Sequence, residues 1–104
     1  MQQEPNNKCS YINILDLARS GKWEEAHKLV QQFSDELSCL IHAYLHRVEG
    51  NINNAKYWYN YIGTEMPSNN LEEELIHLYE IAKLKHPNDY LKLVHNMSSK
   101  RIDS

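Results

Sequence analysis

The sequence predicts an all-α protein built from stacked antiparallel helical hairpins, with five to six helices. Three observations carry this expectation. Apolar residues recur at three- and four-residue intervals along most of the chain. Glycine and proline, three of each, fall where those stripes stop. No segment alternates apolar and polar residues between tight turns, as a half-buried strand would. At 104 residues, 41% apolar and 24% charged, the chain is expected to form one soluble domain with a modest core.

Residues 1–9 are mostly polar and are expected to be disordered. Ser10 stands where a helix N-cap would, ahead of Tyr11, Ile14, Leu15 and Ala18 at helical spacing, and Gly21 supplies a left-handed closing residue. Trp23, Ala26, Val30 and Phe33 form the stripe of a second helix, with Glu24 and Glu25 at its positive end, completing a hairpin over 10–33. Ser34-Asp35-Glu36 is a new start signal. Leu37, Leu40, Ile41, Tyr44, Leu45 and Val48 then give a third helix a broad buried face that ends at Gly50. Ala55, Trp58, Tyr59 and Ile62 line a fourth helix stopped by Gly63, so the second hairpin spans 35–63.

Thr64 to Asn70, with Pro67, reads as a loop. Asn70 and Glu73 have capping-box spacing and open a fifth helix over 70–86, lined by Leu71, Leu75, Leu78, Tyr79 and Ala82 and ended before Pro87. Tyr90, Leu93, Val94 and Met97 predict a sixth helix over 89–97, capped by Asn88 or Asp89. Residues 98–104 are expected to be a frayed tail.

The two hairpins repeat one pattern. Gly21 to Ala26 and Gly50 to Ala55 share a spacing, 29 residues apart, and each places a small alanine where two antiparallel helices would meet. The second unit, with Ala43, Gly50, Ala55, Tyr59 and then Pro67, resembles a tetratricopeptide repeat; the first has Gly21, Ala26 and Val30 but no closing proline. This resemblance covers about Ser10 to Pro67 and implies stacked hairpins whose concave face binds a peptide or partner protein. The string HAYLHR-EG-x-x-x-NA-x-YWY is also similar to a block shared by small uncharacterised bacterial proteins. That block tends to carry Asp where this chain has Asn51, and it supplies no activity to transfer.

Composition removes several classes of function. A net charge of −3 argues against nucleic-acid binding, which needs clustered excess Lys and Arg. Lys83, Lys85, Lys92, Lys100 and Arg101 alternate with acids and read as a solvated face plus a basic tail. No apolar run is long enough to span a membrane, and no hydrophobic signal segment opens the chain, so a cytoplasmic location is expected. Cys9 and Cys39 are too few for a disulfide framework.

The chemistry concentrates between Cys39 and Tyr61. Cys39, His42 and His46 lie at i, i+3 and i+7 and project within about 60° of one another, opposite Leu37, Ile41, Tyr44 and Val48. Thiolate and imidazole both suit Zn²⁺, and His27 on the neighbouring helix is the natural further ligand, with Cys9 or Glu49 behind it. The competing reading is a hydrogen-bonded interhelical seam, with His46 paired to Glu49 or Glu25 and Cys39 serving as a small hydrophobe. Arg47 is suited to hold a carboxylate, either a ligand's or that of Glu25.

Trp58 and Tyr59 belong to the buried stripe of the fourth helix. Tyr57 and Tyr61 form an i, i+4 pair on its other side, either a partner-binding face or a surface covered by the fifth helix. Two expectations follow. The first is a non-catalytic helical-repeat module that binds a protein partner or forms a homodimer and needs no cofactor. The second is a small metal- or ligand-binding protein, even a hydrolase, centred on His42, His46 and Arg47 with a contribution from His27.

Overall fold

In a computed structural model, residues 4–6 and 10–85 are described. They contain five helices and no strand: α1 (Tyr11–Arg19), α2 (Trp23–Val30), α3 (Glu36–Val48), α4 (Ile52–Tyr61) and α5 (Leu71–Lys85). The expected sixth helix over 89–97 and the tail over 98–104 lie outside the described residues, as does most of segment 1–9. Within that segment Pro5 is buried and the Glu4 carboxylate lies 3.9 Å from Lys85 Nζ.

The helix boundaries follow from local chemistry. Ser10 Oγ accepts from the Asn13 amide to cap α1. Asp35 caps α3 through the Ser38 amide at 3.2 Å. Asn70 and Glu73 close the capping box reciprocally, at 3.0 and 2.8 Å. At the end of α3, the Asn51 amide reaches back to the His46 carbonyl and the Gly50 amide to that of Arg47. This is the paired closure of a Schellman motif, which requires Gly50 at its φ of 86°. Gly21 and Gly63 close α1 and α4 by the same hydrogen-bond pattern.

Helices α1 and α2 pair as one hairpin and α3 and α4 as another, while α2 and α3 join the two. Ala43 and Ala55 are fully buried between α3 and α4, packed with Tyr59, Trp58, Leu40 and Met66, so the small side chains bring those two helices close. The main core draws Tyr11, Ile14 and Leu15 from α1, Ala26 and Val30 from α2, Leu37, Ile41 and Leu45 from α3, and Leu78 and Ala82 from α5. Phe33, expected on the α2 stripe, lies beyond the end of that helix but still packs against this core. Val48 and Leu71, expected in buried faces, are 43% and 38% exposed; each is the terminal residue of its helix.

Helix α5 docks on α1 and α3, the first helices of the two hairpins. The face those helices share is therefore filled by the chain itself. The Tyr79 hydroxyl donates to Asp16 and accepts from Arg19 Nε at 3.2 Å, tying α5 to α1. Among the described residues, no helix is long and apolar enough to cross a membrane.

Candidate metal centre

Pairing of α2 with α3 brings His27 against His42 and His46. His27 and His42 face each other Nε2 to Nε2 at 3.1 Å, a distance at which one ring carries the proton and the other accepts it. One ligand atom from each of the three histidines falls within 4.8 Å of the others. His46 Nδ1 lies 2.7 Å from Glu49 Oε2, so its N–H points at the carboxylate and its Nε2 lone pair is left for another use. Glu49 is placed for this by the end of α3, where it is the C-cap residue one turn beyond His46.

Both tryptophans of the chain flank this group. Trp23 stacks on His27 at a centroid distance of 4.6 Å, and Trp58 stacks on His42 at 4.2 Å. The Trp23 indole donates to the Leu45 carbonyl at 2.7 Å, which fixes α2 against the last turns of α3. His42 and His46 are each only 6% exposed, whereas His27 is half-buried and forms the accessible side.

Burial dominates the electrostatics. Desolvation, then the neighbouring His27 and His46, pushes the His42 pKa down to about 4. His27 is also lowered, by burial and by His46, against a weaker opposing pull from Glu49 and Glu24. Both rings are thus neutral near pH 7 and present lone pairs rather than charge. The unfolded chain, with ordinary histidines near 6.5, binds more protons than the folded protein between about pH 6.5 and 4. Stability of the metal-free protein is therefore fully present above pH 6.5 and lost as pH falls through that window, by up to about 3 kcal/mol from His42 alone. Urea midpoints at pH 7 and pH 4.5 test this; His42→Gln is expected to flatten the difference, and an unchanged slope in that variant would assign the effect elsewhere.

The other residues singled out by sequence are placed differently. Cys39 is buried and its thiol, pushed up by burial and by Asp35, donates to the Ser34 carbonyl at 3.8 Å; it is not in the imidazole group. Arg47 turns toward the loop before α5, donating from both terminal nitrogens to Asn69, to Oδ1 at 2.9 Å and to the carbonyl at 2.6 Å. It holds neither Glu25 nor the histidines. Tyr57 and Tyr61 are each 57% exposed and their rings stack at 6.4 Å; α5 does not cover them. Trp58 touches both, so the exposed pair continues into the histidine cluster.

The role of Trp23 beside His27 is not expected from its place in the core stripe. Its i, i+4 spacing to His27, the same as that of His42 to His46, is the signal that the two share a face. Nor is Glu74 expected inside, yet it is only 2% exposed. Its signal is the four-residue spacing to Leu78 and Ala82.

Three imidazole nitrogens about 2.0–2.1 Å from a tetrahedral Zn²⁺ stand roughly 3.3–3.4 Å from one another. The His27–His42 pair, at 3.1 Å, is already near that separation, and all three ligand atoms lie within 4.8 Å of one another. A carboxylate on the far nitrogen of one ring is the usual outer partner of a metal-bound histidine. Comparison with known proteins adds nothing to this geometry: no protein-family model, no curated protein and no solved structure matches the chain.

Proposed function

We propose that the protein binds a divalent transition-metal ion, Zn²⁺ foremost, through His27, His42 and His46. The observation that carries this reading is the convergence of three imidazoles within 4.8 Å, two of them held neutral by burial and the third oriented by Glu49. Three protein ligands leave a fourth position for water or a small ligand, as in zinc sites that do chemistry rather than only hold a fold. The rings of His27 and His42, both lowered by burial, need not shed a proton to bind at neutral pH.

Metal-free protein without a histidine tag, titrated with Zn²⁺ and with Co²⁺, is the test. One equivalent should bind, Co²⁺ should quench the fluorescence of the flanking Trp23 and Trp58, and thermal stability should rise by about 2.7 kcal/mol at a hundredfold excess over Kd. No saturable quenching and no stabilisation by either ion would exclude the metal.

A second reading rests on a different observation, the exposed and stacked Tyr57–Tyr61 pair. We infer that this face supports a non-catalytic protein–protein interaction, with a partner or as a homodimer, because aromatic side chains give contact area at low entropic cost. The double variant Tyr57→Ala, Tyr61→Ala is expected to abolish self-association in sedimentation velocity, or capture of a partner, at unchanged helicity. A double variant that behaves as wild type would remove the interface from α4. A cytoplasmic setting, where Cys39 stays a thiol, accords with either reading.

A further inference from the structure

We infer that the open position of the metal centre and the Tyr57–Trp58–Tyr61 face form one composite site, which takes a small carboxylate carrying an aromatic ring on a short alkyl spacer. This rests on the metal reading above and adds the class of ligand to it.

The head of the ligand follows from the donor set. Among the described residues, the side chains grouped closely enough to share an ion are three imidazoles, with no carboxylate or thiolate in the group. An imidazole binds a metal as a neutral donor, so the ion keeps its double charge and its fourth position favours an anionic oxygen. Two carboxylates stand near without supplying that oxygen. Glu49 is engaged on Nδ1 of His46, and Glu24 is exposed, its charge felt at His27 although it lies outside the group. His27 and Trp58, the stacking and edge partners of His42, are both half-buried, so the array of rings reaches solvent.

The body of the ligand follows from that array. Trp58 stacks on His42 at 4.2 Å and meets Tyr57 and Tyr61 edge-on at 5.1 and 5.5 Å. The two tyrosines stack on each other with their planes 28° apart and are exposed. The metal centre and the tyrosine face are therefore one run of rings rather than two separate features. A ligand held by its head at the ion has Trp58 alongside and the tyrosines one ring further out. That order sets the spacer: a ring joined directly to the carboxylate stops beside Trp58, whereas a ring on a two-carbon spacer extends to Tyr57 and Tyr61. Ring-to-ring contact contributes beyond the area it buries, which favours an aromatic over a saturated body.

The test follows the visible absorption of the Co²⁺-loaded full chain during titration with 3-phenylpropanoate. Propanoate, which keeps only the head, and 3-phenylpropanamide, which lacks the charge, are the comparison arms at matched ionic strength. 3-Phenylpropanoate should perturb the cobalt bands saturably and bind about tenfold more tightly than propanoate. The amide should bind more weakly than either acid, and the metal-free chain should not bind 3-phenylpropanoate. The double variant Tyr57→Ala, Tyr61→Ala alters exposed side chains only, and in it the two acids should approach equal affinity. Equal affinity of the two acids for wild type, a preference for 3-phenylpropanoate that survives in the double variant, or binding by the metal-free chain would overturn the assignment. Cobalt bands indifferent to 3-phenylpropanoate would overturn this inference alone. Absence of any cobalt spectrum would overturn the metal reading and this one with it.

Discussion

His46→Ala is expected to abolish stoichiometric metal binding, and Glu49→Gln to weaken it by about 10–100-fold while keeping one site per chain. The two effects differ because the residues act at different removes. His46 offers the Nε2 lone pair itself, and two remaining imidazoles make a poor site for an ion that prefers four ligands. Glu49 does not reach the ion. At 2.7 Å from His46 Nδ1 it selects the tautomer and holds the ring's orientation. Gln keeps a hydrogen-bond acceptor but loses the charge, so a graded loss follows. Isothermal titration at pH 7 separates the outcomes. Equal affinities for wild type and Glu49→Gln would show that the carboxylate serves only to end α3, and a His46→Ala variant that still binds one equivalent would place the ion elsewhere.

The largest stability effect is expected at Asp35, which is 1% exposed although it is charged in sequence terms and precedes a helix. Its carboxylate accepts from the Ser38 amide, from Ser38 Oγ at 2.6 Å and from the Tyr11 hydroxyl at 2.6 Å. One side chain thus caps α3 and fastens α1 to it. Asp35→Ala removes a cap contributing about 1 kcal/mol and the acceptor of two further hydrogen bonds, for a loss on the order of 3 kcal/mol and a Tm lower by roughly 10–20 °C. Asp35→Asn keeps the cap geometry and should lose less, and Tyr11→Phe less again. An Asp35→Ala chain that melts within a few degrees of wild type would show that Tyr11 and Ser38 find other partners at no cost.

Much of the fold was legible because its signals are local. Glycines at the left-handed closing positions, Ser10 and Asp35 as caps, and the Asn70–Glu73 box all act within one turn of where they stand. The meeting of α2 with α3 was legible from the hairpin repeat, and with it the approach of His27 to His42. Side-chain choices between equally near partners were less so. Cys39 shares a stripe with His42 and His46, but it sits near the start of α3, where the Ser34 carbonyl is within reach. Arg47 could not be aimed from sequence, since its partner Asn69 is 22 residues on, in a loop whose path no periodicity encodes. Glu74 was hidden for the converse reason: a carboxylate in a buried stripe is rare, and partners it meets in the folded chain, the Asn69 amide and the His77 ring among them, make the position tolerable.

The docking of α5 across α1 and α3 has a consequence for how the protein comes apart. In an open array of hairpins each unit leans only on its neighbours, and the ends can melt while the middle holds. Here the last described helix returns to the first, and the Tyr79–Asp16 hydrogen bond spans 63 residues of chain. Loss of either hairpin strips α5 of half its seat. The first and last described helices are thereby made dependent on each other, and residues 10–85 should unfold in a single cooperative step rather than repeat by repeat.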